Sequence, residues 1–210
     1  MNSPSENQSE NPSSGTELLG PEIWNLPNLI TLSRLVLALI LFVMIYLEGW
    51  WKTSATLFIV AAATDFLDGY FARKYNQVTT LGRILDPFVD KIIICGAFIF
   101  LLERGPETGI NAWFVLIIIG REMFITSLRG FLEQHGRDFS ASWSGKIKMG
   151  VQCVAVVLSL LSLSPDSPFN TSGFMLLRDI SIWSAALITL YSGIDYVFRA
   201  ARMLRQAPLR

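Results

Sequence analysis

After a polar opening stretch, the chain alternates apolar blocks with short polar joints. Six of these blocks read as membrane-crossing helices, each needing about 20 residues to cover the hydrocarbon. The first runs over residues 29–47, the fifth over 149–163 and the sixth over 177–198, with Arg34 inside the first and Asp195 near the end of the sixth. The second, third and fourth have uncharged runs of only 53–64, 92–102 and 110–120. They reach spanning length by taking in Asp65, Asp68 and Arg73, then Asp86, Asp90 and Lys91, then Arg121, Glu122 and Arg129. Ionisable groups at membrane depth cost a few kcal/mol each, so such residues face a cavity or a partner and mark function. The blocks lack the period-2 alternation of strands, and they are apolar on all faces rather than on one stripe, which argues against a soluble helical bundle.

Composition agrees with this pattern. Of 210 residues, 51% are hydrophobic and 16% charged, with mean hydropathy +0.44. The formal net charge is zero, 17 Lys and Arg against 17 Asp and Glu, which excludes a strongly basic nucleic-acid binder. Cys95 and Cys153 lie in separate apolar blocks and offer neither a disulfide framework nor a thiolate metal cluster. Residues 1–20, rich in Ser, Asn, Glu and Pro, are expected to be a disordered tail and have no secretory-signal pattern; 21–205 form one all-α integral membrane domain. Eleven Lys and Arg fall in joints on the side of the termini, among them Arg73, Arg83, Arg129, Lys146, Lys148 and Arg205. Only Lys52, Arg104 and Arg178 fall on the other side. The positive-inside bias then puts both termini in the cytoplasm, in a multi-pass protein of the cytoplasmic membrane.

The densest chemistry lies between residues 65 and 90. Asp65, Asp68 and Ala72 stand at i, i+3 and i+7, one helix face, while Asp86 and Asp90 stand at i and i+4 on the next helix. Two antiparallel helices can thereby aim four carboxylates at one another. Ion pairing with Arg73, Arg83 and Lys91 would account for one such acid but not for four on facing sides. All-oxygen ligation suits Mg²⁺ or Mn²⁺, and two ions would clamp the attacking and leaving oxygens of a phosphoryl displacement. Gly69 and Ala72 leave room for a bulky ligand, and Arg73 offers a planar fork to a phosphate. Pro87 fits the first turn of the third helix, where its missing N–H is tolerated.

The pattern D-x2-D-G-x2-A-R-x8-G-x3-D-x3-D is matched at every fixed position by residues 65–90 and resembles the signature of the CDP-alcohol phosphotransferase family. The resemblance implies a six-helix membrane enzyme, in some cases a homodimer, that moves a phosphatidyl or related group from a CDP-linked donor to an alcohol and releases CMP. It implies that Asp65, Asp68, Asp86 and Asp90 hold two divalent cations, with Asp90 the general base and Asp86 beside it in catalysis. By the same resemblance, Asn28, Thr31, Asp68, Gly69, Ala72, Arg73 and Gly82 line the CDP site.

The acceptor is read from the remainder. Arg121 and Arg129 are eight residues apart and share a helix face, and with Arg137, Lys146 and Lys148 they suit an acceptor carrying its own phosphate. A choline-like head would call for aromatic or acidic lining. Asn25, Pro27, Asn28, Thr31 and Arg34, then Arg121-Glu122, Leu128-Arg129 and Gly145-Lys146-Ile147-Lys148, resemble elements of one branch, the phosphatidylglycerophosphate synthases. Where that branch has Glu-Trp after Leu-Arg, this chain has Gly130-Phe131. The branch implies CDP-diacylglycerol as donor and sn-glycerol 3-phosphate as acceptor, its phosphate held by Arg121, Arg129, Lys146 and Lys148. Rival readings are phosphatidylglycerol or inositol phosphate as acceptor, or a cation transporter using the aspartates as an ion site. His135, in a polar joint, is expected to be a surface residue, and the tryptophans to anchor near span ends.

Overall fold

The computed structural model describes the backbone of residues 26–75, 80–134, 143–165 and 168–206. Within these, it describes side chains outside 26–28, 65–75, 80–84, 86, 87, 143, 144, 146, 204 and 206. The opening tail, His135 and Arg137 therefore lie outside the described residues. Six α-helices and no strands occur among those described: α1 (Leu26–Tyr46), α2 (Trp51–Tyr75), α3 (Thr80–Glu103), α4 (Ala112–Gln134), α5 (Trp143–Ser162) and α6 (Ser172–Gln206). A 3₁₀ turn, Gly105–Thr108, links α3 to α4. The three helices with short uncharged runs do extend through their charges. Backbone hydrogen bonds along a helix are indifferent to side-chain charge, whereas hydropathy is not.

Helix ends follow from local chemistry. Asn111 Oδ1 accepts the Phe114 N–H at 2.9 Å and caps α4, and Thr171 Oγ1 accepts the Phe174 N–H at 3.3 Å at the start of α6. That cap starts α6 five residues before the apolar run suggests. At 35 residues the helix is about 52 Å long, more than a hydrocarbon core requires. Pro87 is a correction to the expected helix start. α3 begins at Thr80, so the proline sits two turns inside and the Arg83 carbonyl loses its i+4 donor. Helical residues on both sides carry the chain through it.

α1 packs against α2 and α3, α5 against α2, α3 and α6, and α4 against α3 and α6. Small residues stand at many of the closest approaches: Ala38, Ala55, Ala61, Ala97, Ala155 and Ala185 are almost fully buried beside Phe58, Phe98, Leu101, Ile118 and Leu160. A Cβ on Gly96 would fall 2.2 Å from the Phe42 ring, which stacks on Phe100 at 5.1 Å, so α1 and α3 meet where only glycine fits.

The outer surface is apolar and part of the interior is polar. Leu32, Val36, Leu39, Val43, Trp113, Phe124, Leu187 and Phe198 are exposed, while Arg34, Glu122, Lys148, Gln152, Thr189 and Ser192 are buried. Such an arrangement loses free energy in water and suits a lipid surround. Leu29–Tyr46 and Ser172–Met203 are long and apolar enough to cross a membrane, and Ile147–Ser162 is a shorter apolar helix.

Polar contacts mark the two ends of the bundle. At one end, the Arg104 guanidinium donates to Glu48 and to the Tyr46 carbonyl, while Arg178 donates to the Glu107 carbonyl at 2.6 Å and pairs with Asp179. Arg178 is buried and lies within α6 rather than in a joint. The opposite end holds the cavity described next.

Candidate active site

α1 contributes Thr31 and Arg34, both buried one turn apart on the face turned toward the bundle. An Arg34 guanidinium nitrogen donates to Asp90 Oδ1 on α3 at 2.7 Å, a charge-assisted contact. Arg34 is only 2% exposed, so its aliphatic stem packs in the core and its fork has little freedom. One carboxylate oxygen of Asp90 is thereby fixed in direction.

Asp90 lines a cavity of about 210 Å³ with Lys91, Ile94 and Cys95 of α3, Glu122 and Arg129 of α4, and Gly145, Lys148, Met149 and Gln152 of α5. Helical spacing explains the membership. Gly145, Lys148 and Gln152 stand at i, i+3 and i+7, and Glu122 and Arg129 seven apart, so each set faces one way. Gly145 lies against Tyr196, whose hydroxyl is 3.5 Å from where its Cβ would stand, an ordinary packing distance.

The charges are networked. Glu122 and Lys148 form a buried ion pair across α4 and α5, and Arg121 lies 3.4 Å from the same Glu122 oxygen. Arg121 also donates to Ser192 Oγ at 2.6 Å, with its guanidinium 5.3 Å from the Tyr196 ring. Arg129 approaches that ring at 5.9 Å and donates to the Tyr196 hydroxyl at 3.2 Å. Tyr196 thus contacts both arginines, Arg129 on the cavity wall and Arg121 beside Glu122. Gln152 donates to Thr189 at 2.8 Å, continuing the polar contact of α5 with α6. Cationic groups at or next to the cavity are Arg34, Lys91, Arg121, Arg129 and Lys148, against the described carboxylates Asp90 and Glu122. A space with that balance attracts an anion.

A second groove lies beside this cavity. It has a volume of about 440 Å³ between α3 and α4, shares Lys91, Cys95 and Glu122 with the cavity, and continues over Phe88, Ile92, Ile99 and Met123.

Among the expected site residues whose side chains are described, Asp90, Arg129 and Lys148 line the cavity, Arg121 lies beside it at Glu122, and Thr31 is buried on α1 one turn before Arg34. α2 carries Asp65, Asp68, Gly69, Ala72 and Arg73 in its last turns, and α3 carries Gly82 and Asp86, but the side chains of these positions lie outside the described residues. The same holds for Asn28 and Lys146. Asp90 is the one expected metal ligand whose side chain is described, and among the described residues no group of three or more His, Cys, Asp or Glu comes together. A set of four aspartates remains chemically suited to a hard cation, being all oxygen and anionic.

Sequence reasoning missed Tyr196, Ser192, Gln152 and Thr189. A signal was present: Thr189, Ser192 and Tyr196 stand at i, i+3 and i+7, a polar stripe on an otherwise apolar helix. The neighbouring Asp195 is off that stripe and pairs with Arg199 one turn along at 3.0 Å. The partners of Arg34 and Glu122 join residues far apart in the chain and could not be read from spacing.

The helical bundle thus presents an apolar exterior and holds a cation-rich cavity beside an oriented aspartate. The chain belongs to the CDP-alcohol phosphatidyltransferase family, which it matches over residues 24–191, and is a transferase. It is 36% identical over 188 residues to the CDP-diacylglycerol--glycerol-3-phosphate 3-phosphatidyltransferase of Bacillus subtilis, covering 83% of this chain and 94% of that one. Proteins of the same name from Salmonella choleraesuis and Rickettsia felis are each 35% identical, covering 84% and 85% of this chain and 95% and 96% of their own.

Proposed function

We propose that this protein transfers the phosphatidyl group of CDP-diacylglycerol to sn-glycerol 3-phosphate, forming phosphatidylglycerophosphate and CMP for phospholipid biosynthesis. The observation that carries the reading is the pair of cations Arg129 and Lys148 on the wall of a cavity that Asp90 also lines, with Arg121 beside them at Glu122. An acceptor phosphate held by those cations brings its hydroxyl-bearing end toward Asp90. Phosphatidylglycerol or inositol phosphate as acceptor is not favoured, since the three relatives above all bear names specifying glycerol 3-phosphate. Ion transport would leave the acceptor-side cations without a role.

In this reaction Asp90 takes the proton of the acceptor hydroxyl as its oxygen attacks the phosphorus esterified to diacylglycerol. The pyrophosphate P–O bond breaks, and CMP carries away the electron pair. Arg34 holds the Asp90 carboxylate in line. Arg121, Arg129 and Lys148, with Lys146, bind the acceptor phosphate, and Tyr196 keeps the two guanidinium planes in place. Asn28, Thr31, Asp68, Gly69, Ala72, Arg73 and Gly82 accommodate the CDP portion. Divalent cations, Mg²⁺ or Mn²⁺, would be held by Asp65, Asp68, Asp86 and Asp90 and would stabilise charge on the phosphate oxygens when bound.

The membrane arrangement proposed alongside has residues 21–205 as one domain of six spans in the cytoplasmic membrane. Both termini and the cavity face the cytoplasm, where a soluble glycerol phosphate is met, and two copies pair as a homodimer. The apolar exterior and the groove between α3 and α4 support substrate entry from lipid. Incubating the purified protein with CDP-diacylglycerol and labelled glycerol 3-phosphate tests the reaction. CMP should appear in step with labelled lipid, and CMP release independent of glycerol 3-phosphate would refute it.

A further inference from the structure

A carboxylate at the centre of a phosphate site calls for an explanation. Glu122 is buried, yet it would repel the acceptor phosphate that the proposed function requires. Its contacts supply a reason for its presence. With no anion bound, Lys148 and Arg121 would be cations held away from water, and Glu122 neutralises them. The same nitrogen atoms cannot give their full bonding capacity to Glu122 and to a phosphate at once.

The two cations differ in freedom. Arg121 is fixed by Ser192 at 2.6 Å and by the Tyr196 ring at 5.3 Å. Lys148 carries a compact ammonium on a flexible stem and borders the cavity directly, so it can turn from Glu122 to a ligand. We infer that Glu122 is a specificity-determining residue, an internal stand-in for phosphate from which an acceptor must take Lys148. This inference rests on the proposed phosphate-bearing acceptor.

Selectivity follows from charge. A neutral polyol offers Lys148 nothing in exchange for a carboxylate, and a monoanion exchanges one unit charge for another at no gain. A phosphate dianion meets both Lys148 and Arg129 on the cavity wall, with Arg121 behind Glu122, and outcompetes Glu122. Entry to the site therefore depends on the phosphate group, and the affinity for phosphate is lowered by the fraction of enzyme in which Lys148 is already engaged.

The test compares Glu122→Gln and Glu122→Asp with the unaltered enzyme in CMP-release assays. Glutamine keeps the shape and removes the charge; aspartate keeps the charge and withdraws it by one methylene. With Lys148 engaged about nine-tenths of the time, removing the competitor lowers the KM for glycerol 3-phosphate and the inhibition constant of inorganic phosphate about tenfold. The aspartate variant should shift both the same way by less, so it carries the test if the glutamine variant fails to fold. Chloride, inert toward the unaltered enzyme at matched ionic strength, should inhibit Glu122→Gln competitively with glycerol 3-phosphate. An unchanged or raised KM and phosphate inhibition constant in the variants overturns the inference. Absence of glycerol 3-phosphate-dependent CMP release from the unaltered enzyme would instead overturn the proposed function.

Discussion

The Arg34–Asp90 pair can be tested for stability and chemistry in one set of variants. Replacing Arg34 by Met keeps much of the buried stem and removes the guanidinium that donates to Asp90 at 2.7 Å. Removing one partner of a buried pair costs about 3–5 kcal/mol when both groups are desolvated. Here Arg34 is 2% exposed but the Asp90 side chain is 29% exposed and borders a cavity, so screening reduces the pairwise coupling to about 2 kcal/mol. For a chain of this size that corresponds to a fall of about 4–8 °C in melting temperature. Arg34→Met, Asp90→Asn and the double variant form a cycle, measured by thermal unfolding in one detergent. The double variant should be more stable than the sum of the single losses predicts, by about 2 kcal/mol. Turnover supplies a second readout. Arg34→Met retains the general base but loosens its aim, so kcat should fall about 100-fold. Arg34→Lys, which keeps the charge without the fork, should fall between. Additive stability losses, or an Arg34→Met variant with unaltered kcat, would refute the assignment of Arg34 as the residue that orients Asp90.

Other positions give independent checks. Tyr196→Phe removes the hydroxyl that accepts from Arg129 but keeps the ring under both arginines, so it should raise the KM for glycerol 3-phosphate by up to about tenfold; Tyr196→Leu, losing both, should raise it further. Gly96→Ala pushes a methyl group into the Phe42 ring and should destabilise the protein by about 1–3 kcal/mol, with partial rescue by Phe42→Leu; unfolding measurements on the pair would expose a wrong packing assignment if no rescue occurs. Chelation of divalent cations should abolish CMP release, and added Mg²⁺ or Mn²⁺ should restore it. Asp90→Asn should eliminate turnover while CDP-diacylglycerol still binds, and residual activity near that of the parent would remove Asp90 as the base.

Much of this protein is legible in its residues taken one after another. Hydrophobic blocks separated by polar joints yield six helices, and α2, α3 and α4 extend through their charges as the spacing of Asp65, Asp90 and Arg121 requires. The family was equally open to reading, because its signature occupies two consecutive helices and depends only on spacing. Arg121 and Arg129 share a face because eight residues make little more than two turns, a property of any helix. What the chain order could not disclose were partners on helices distant in sequence. Arg34 meets Asp90 across 56 positions, Glu122 meets Lys148 across 26, and Arg121 meets Ser192 across 71. Those meetings depend on which faces of α1, α4, α5 and α6 turn inward, and small residues such as Gly96 and Ala97 set how closely α3 meets α1. Helical periodicity is a local property and survives in the sequence, whereas the pairing of buried charges depends on packing the helices together. Only the tertiary structure decided that Lys148 faces a carboxylate inside the bundle rather than lying on a basic rim.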